Sequence, residues 1–424
     1  MRLARDLSGM ENRKAEASAA VVSAVQEILA GVRAGGDKAA RAYAERLDGF
    51  VGEELLVTPE EIKDAINAVG EDFMRILGRA CEQITEFHSN QMERSWGHWR
   101  EDGVIMGQLK RPLRRVALYV PGGTAPYPST VLMNAIPATL AGVKEIVIFT
   151  PVKADGKVAD VILAAAACCG IDTIYKLGGA QAIAVAAYGT ETIGKVDKIV
   201  GPGNAYVATA KKLVYGQVDI DMVAGPSEVL IVADESANPK YVAADLMSQA
   251  EHDRLASCIL VTTSEKLIEE TERELARQMA TLSRREIIAE ALENYGAAIP
   301  APDLDAAFAL ANEIAPEHLE ILTANPLEKL TKVQNAGSVF LGEYTPEPLG
   351  DYMSGTNHVL PTGGTARFYS PLGVYDFVKS SAYSYYPKEA LADLKDDVMT
   401  FAKLEGLDAH ANSIKVRFEE ENGE

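Results

Sequence analysis

Six histidines occur in the 424 residues, and four stand in contexts suited to chemistry. His252 closes Ser248-Gln-Ala-Glu-His252, three residues after Gln249. At a helix end that spacing puts an amide and an imidazole on one face, where both could ligate a metal. A surface histidine between Glu251 and Asp253 would show the same pattern. Asp351, in the glycine-flanked loop Leu349-Gly-Asp-Tyr352, could add a carboxylate, and His410, in Leu407-Asp-Ala-His410, a second imidazole. Such a nitrogen and oxygen set suits Zn²⁺ or a similar divalent ion. Nothing local makes the four converge. Glu317-His318 follows Pro316 as an adjacent acid–base pair. Histidine titrates near neutrality and can take a proton from an alcohol, while the glutamate could activate water. Neighbours in a strand point to opposite faces, which opposes joint action, but irregular backbone after a proline relaxes that objection. An ordinary exposed pair at a strand start is the plain alternative.

Glycine-rich loops are the second candidate feature. Pro121-Gly122-Gly123 and Gly201-Pro-Gly-Asn204 each follow an apolar run, and Gly178-Gly-Ala-Gln181 offers similar backbone access. None is a G-x-G-x-x-G fingerprint, since Tyr206 stands where the second loop would need its third glycine. A dinucleotide bound here would not use the usual Rossmann loop.

Positioning these groups falls to a mixed α/β chain. Residues 11–100 read as helices, with apolar residues at helical spacing from Ala15 to Ile28. Thr58 is the expected N-cap before Pro59-Glu-Glu61, and a long amphipathic stretch starts at Asp72. From Arg111 onward short apolar strands at 116–120, 145–149 and 197–200 alternate with helical stretches at 135–141 and 161–169. That alternation predicts βαβ units and a largely parallel sheet. It restarts after Pro226 with strands at 229–232, 259–262, 297–299, 319–322 and 338–341. Residues 343–372 read as a long loop rich in Gly, Pro and Thr, the kind of connection that carries function. A helical tail follows at 388–404 and 407–417, with a frayed end from Glu419.

Composition narrows the class. The chain is 47% hydrophobic and 24% charged, with a formal charge of −20. That acidity opposes a phosphate backbone, so no nucleic-acid partner is expected. Cys81, Cys168, Cys169 and Cys258 form no CxxC pair and read as reduced, small hydrophobes. No apolar run approaches the ~20 residues of a membrane span, and the N-terminus lacks a signal-peptide core, so a reducing cytoplasm is expected.

Several segments together resemble the histidinol dehydrogenase family. They are Tyr119–Pro126, Gly178–Ile183, Val196–Asn204, Ala224–Val229, Ser248–His252, Pro316–His318, Gly337–Gly342, Gly350–Pro361 and Glu405–His410. They stand in the family's order, and the likeness runs from about residue 10 to 418.

The resemblance implies two similar Rossmann-like, aldehyde-dehydrogenase-like three-layer domains with helical extensions at both ends. The expected division is 1–110 helical, 111–233 NAD-binding, 234–372 zinc and substrate, and 373–424 a tail crossing to a partner subunit. It implies Gln249, His252, Asp351 and His410 as ligands of one Zn²⁺ per subunit, and Glu317 and His318 as the acid–base pair. Ser227, His358 and Glu405 would line the substrate together with His318 and the four metal ligands, and Tyr119, Gln181 and Asn204 would contact NAD. The implied protein is a homodimer with shared sites that oxidises L-histidinol to L-histidine through a bound aldehyde, using two NAD. Relatives on this scaffold that oxidise other polar alcohols are the competing reading, and Glu405, His410 and Gly355–His358 favour the imidazole substrate. A metal-binding scaffold without catalysis would have lost Glu317 and His318, which are both present.

Overall fold

The computed structural model describes residues 3–7, 18–50, 52, 54–122, 126–153 and 155–419. The expected helix start at Ala15, Gly123 of the first glycine loop and the tail beyond Glu419 lie outside them. Two helices come first. In α1 (Ala19–Tyr43), Ser18 caps the N-terminus and Val25, Ile28, Leu29 and Val32 form the buried stripe. In α2 (Pro59–Ser89), the Thr58 hydroxyl accepts the Glu61 N–H at 3.2 Å. The Glu61 carboxylate in return accepts the Thr58 N–H at 2.9 Å. This capping box is the expected start of α2. Gly70, at φ +78°, breaks the helix, and beyond it Leu77, Ala80, Ile84 and His88 face inward.

Strands β1 (Trp96–Trp99) and β2 (Ile105–Pro112) form an antiparallel hairpin. The first parallel sheet then uses β3 (Arg115–Tyr119), β4 (Glu145–Thr150), β5 (Ile174–Lys176), β6 (Lys198–Val200) and β7 (Asp219–Ile220), in the order β5-β4-β3-β6-β7. Helices α3 (Pro128–Ala141), α4 (Asp160–Cys168), α5 (Gly179–Tyr188) and α6 (Ala205–Val214) connect them. The second parallel sheet uses β8 (Glu228–Ala233), β9 (Ser257–Thr262), β10 (Gly296–Pro300), β11 (His318–Leu322) and β12 (Ser338–Leu341), in the order β10-β9-β8-β11-β12. Its helices are α7 (Pro239–Ala250), α8 (Glu265–Met279), α9 (Arg285–Tyr295), α10 (Leu304–Ile314) and α11 (Pro326–Lys329). Counted within each sheet, both orders are 3-2-1-4-5. The switch in winding therefore falls between β3 and β6 in the first sheet and between β8 and β11 in the second. The central strands are apolar on both faces: Val229 and Ile231 pack on one side of β8, Leu230 and Val232 on the other. The second sheet begins at Glu228, a few residues before the expected domain start at 234.

Beyond β12 come α12 (Glu347–Tyr352), β13 (Val378–Tyr385), α13 (Lys388–Leu404) and α14 (Asp408–Lys415). Two departures from expectation lie in these outer regions. Residues 96–99, 105–112 and 378–385 are strands of one antiparallel sheet, β1-β2-β13, within end segments expected to be helical. Their side chains are mostly exposed on both faces, so no period-two apolar pattern marks them. Asp351 sits on the short helix α12, not in an open loop. Contacts divide the chain into two compact units, Met1–Met92 with Leu113–Phe377, and Glu93–Pro112 with Val378–Glu424. Cys81, Cys168 and Cys169 are free.

Candidate active site

Three of the expected cofactor residues gather at the C-terminal edge of the first sheet. Tyr119 ends β3, and its hydroxyl accepts the Gly179 N–H at 3.0 Å. Gln181, in the first turn of α5, donates to Asp48 at 3.1 Å while its Oε1 is buried without a partner. Asn204 follows β6 and caps α6, accepting from Tyr206 at 3.0 Å and Val207 at 3.2 Å. The loop before it is pinned by Asp221, which accepts the Gly201 N–H at 2.7 Å, and by Lys211, which donates to the Gly201 carbonyl at 2.9 Å. Gly201 has φ +111°, and a Cβ there would lie 2.1 Å from the Tyr119 carbonyl oxygen. Only glycine lets the ends of β3 and β6 approach this closely. This is the winding switch, the crevice where open α/β sheets bind ligands.

The second sheet builds its site at the opposite, N-terminal edge. His318 opens β11, Glu317 precedes it, and both reach the start of β8. Glu317 accepts the Glu228 N–H at 2.8 Å, and His318 Nδ1 lies 2.9 Å from the Glu228 carbonyl oxygen. A carbonyl only accepts, so Nδ1 carries the proton and Nε2 carries the lone pair. The two side chains lie 3.7 Å apart, because Glu317 stands just outside the strand and escapes its alternation. Burial pushes His318 down to about 4, against the opposing pull of Asp351 and the Glu228 carbonyl. Burial, reinforced by the Glu228 charge, pushes Glu317 well above the usual carboxylate range. The site thus offers a neutral imidazole as a base beside an acid that holds its proton.

Around His318 Nε2 lies a group of donors on other elements. Asp351 on α12 is 3.5 Å from His358 Nδ1. Burial raises the Asp351 carboxyl, but the His358 hydrogen bond and charge outweigh it and hold the group low. Glu347, four residues earlier on the same helix, lies 3.6 Å from His318 Nε2 and is 1% exposed. Burial and the Asp351 charge push it up to about 9. His318, Glu347 and Asp351 present ligand atoms within 4.8 Å of one another. Glu347 was not expected. Its signal was the i, i+4 spacing to Asp351, hidden while that segment read as a loop. Behind it, Glu320 accepts the Glu347 N–H at 2.9 Å, and the charge of Asp245 on α7 acts on it.

One turn beyond Asp245, Gln249 is fully buried and neither its oxygen nor its nitrogen has a hydrogen-bond partner. A buried amide left unmatched is costly unless something occupies it. His252 follows on the exposed turn after α7, near enough for its charge to act on His318 and Asp351. Gln249, His252 and Asp351 are therefore a donor set that fits a zinc-like ion. Ser227 is half-buried immediately before β8, and its carbonyl accepts from Ser257 at 3.0 Å. Glu405 and His410 belong to the other unit, where both are exposed, Glu405 capping the end of α13 and His410 on α14. Of the expected residues, the first unit brings Glu317 beside His318 and Asp351 beside His358, with His252 near enough for its charge to act on His318 and Asp351.

A sequence model of histidinol dehydrogenase matches residues 11–418. The histidinol dehydrogenase of Lactococcus lactis is 64% identical over 412 residues, covering 97% of this chain and 96% of the relative. That of Clostridium acetobutylicum is 56% identical over 409 residues, covering 96% and 95%. A crystal structure of histidinol dehydrogenase from Elizabethkingia anophelis superposes with a TM-score of 0.92 at 38% identity, covering 98% of this chain and 96% of that one. Similarity of this length and depth carries fold and element order together, and the chain belongs to the histidinol dehydrogenase family, NAD-dependent oxidoreductases of histidine biosynthesis.

Proposed function

We propose that this chain oxidises L-histidinol to L-histidine in two two-electron steps at one site, through a bound aldehyde. The observation that carries the reading is His318, buried and neutral, with Nδ1 engaged by the Glu228 carbonyl and Nε2 left as a base. In the first step Nε2 takes the alcohol proton. Nε2 then passes that proton to solvent; in the second step Glu317 assists the addition of water to the aldehyde, and Nε2, free again, takes a proton from the hydrate. Gln249, His252 and Asp351 would hold Zn²⁺, with His410 as the fourth ligand. Tyr119, Gln181 and Asn204 would hold NAD, with the first sheet as the cofactor part and the second as the zinc and substrate part. When bound, zinc supplies a fixed point that orients the substrate and NAD supplies the hydride acceptor. Ser227, His358 and Glu405 are assigned to the substrate.

We assign His410 and Glu405 to the partner's site in a homodimer. Supporting this, α13 exposes Phe401 (69%) and Leu404 (84%), an apolar face of the kind a partner covers. We place the enzyme in the cytoplasm, a reading that fits the free Cys81, Cys168 and Cys169 and that cell fractionation tests. No helix among the described residues is long and apolar enough to cross a membrane. The test of the function is an NADH count with limiting L-histidinol and excess NAD. Two NADH per histidinol, abolished by a chelator and restored by zinc, is expected. One NADH would remove the role given to Glu317, and none from folded, zinc-loaded protein would remove the substrate.

A further inference from the structure

His88 lies on the inner stripe of α2, fully buried, and the reaction above makes no use of it. Its hydrogen bonds can be assigned one by one. The Val374 N–H donates to Gln91 Oε1 at 3.0 Å, so that atom is an oxygen. His88 Nδ1, 2.8 Å from the same oxygen, must then carry the proton. Nε2 is left as an acceptor, and Asn357 Nδ2 lies 3.3 Å from it. Asn357 Nδ2 also donates to the Met133 carbonyl at 2.7 Å, and its Oδ1 accepts the Val359 N–H at 2.8 Å. Asn357 is 3% exposed, so these contacts take up its amide.

The contacts fix the backbone on both sides of one residue, His358. Residue 357 is tied to α2 and α3, and residue 359 is tied to residue 357. Two residues earlier, Gly355 at φ +87° rests on α2 so closely that a Cβ would lie 2.5 Å from the Gln83 carbonyl oxygen. The loop therefore lies directly against α2, and its outer side chain, His358, reaches Asp351 at 3.5 Å. An apolar residue at 88 would fill the space but leave the amides of Asn357 and Gln91 each short of a partner.

We propose that His88 is a positioning residue for the substrate: through Asn357 it holds His358 in the orientation that meets histidinol. The proposal rests on the assignment of His358 to the substrate. Burial supports it by holding His88 in the neutral form that can accept from Asn357, although Gln91 pulls the other way.

Two variants separate positioning from packing. His88→Asn places an amide nitrogen where Nδ1 sits, keeping the bond to Gln91 and losing the acceptor for Asn357. His88→Gln places an oxygen where Nε2 sits, keeping the Asn357 bond and losing the other. Losing one buried hydrogen bond to a substrate-positioning group predicts a rise of about tenfold in the histidinol KM of His88→Asn. Its zinc content and NAD KM are expected to stay at the parent values, and His88→Gln to keep the parent histidinol KM. An unchanged histidinol KM in His88→Asn, or equal rises in both variants, would overturn the link. If His88→Asn yields no folded enzyme, Asn357→Ala tests the link from its other end, with the same rise expected and a parental KM overturning it. His358→Ala is measured in parallel. If it raises the histidinol KM and His88→Asn does not, only the His88 link fails. If it leaves the KM unchanged, the substrate assignment of His358 fails and the proposal falls with it.

Discussion

Replacing His318 with Asn tests the centre of the mechanism with little structural disturbance. The asparagine amide can stand where Nδ1 stands and donate to the Glu228 carbonyl, so the bond that orients this position survives. What disappears is Nε2. General-base catalysis contributes about 10²–10⁴ in rate, which is about 3–5 kcal/mol of barrier at about 1.4 kcal/mol per tenfold. The structural loss is part of a ring beneath a surface where His318 is 4% exposed. A small cavity of that kind costs about 1–2 kcal/mol. Against a stability of about 5–15 kcal/mol the variant folds, so the two effects separate. The assay is the initial rate of NADH formation at saturating NAD, beside calorimetric histidinol binding, zinc per chain and Tm. The expected result is a kcat at least a hundredfold lower with binding and zinc intact. A kcat within tenfold of the parent would refute the base assignment, and so would a loss that follows histidinol binding.

Gln249→Met removes a buried amide that lacks partners and keeps nearly the same volume. The metal-free variant should be more stable than the metal-free parent by about 1–2 kcal/mol, while the rise in Tm on adding zinc should vanish. A lower metal-free Tm, or an unchanged zinc response, would count against Gln249 as a ligand. Glu347 gives a pH signature in metal-free protein. In the unfolded chain it ionises from its ordinary value of 4.5, and in the fold it keeps its proton to about 9. Its proton-linked stability is therefore full below pH 4.5 and is lost as pH rises from there toward 9. The Tm advantage of Glu347→Gln over the parent should grow between pH 5 and 8, and a constant difference would contradict the raised carboxyl. Mixing the inactive His318→Asn and His410→Ala proteins, with subunit exchange verified by mass, should restore activity, and no recovery would end the shared-site reading.

Much of this protein was legible along the chain because the signals are local. Thr58 and Glu61 announce a helix start by their own hydrogen bonds. Strands buried on both faces, such as Glu228–Ala233, show as unbroken apolar runs because no side of them meets water. The order of long motifs carried the family before any residue could be placed in space. Other features depend on partners distant in the chain. The β1-β2-β13 sheet pairs residues near 110 with residues near 380, and its exposed faces carry no periodic pattern to betray it. Whether Glu317 and His318 could act together was open from spacing alone. What brings them side by side is Glu228, on a strand some 90 residues earlier, which offers its N–H to one and its carbonyl to the other. Glu347 and His88 drew no notice as residues, since a glutamate in a proline-rich stretch and a histidine on a helix are ordinary. Burial beside His318 made the first an acid that keeps its proton, and contact with Gln91 gave the second a single tautomer. Local chemistry set the elements and the residue types, but desolvation and pairing across the fold set the protonation states, because these depend on what surrounds a group and not on its neighbours in sequence.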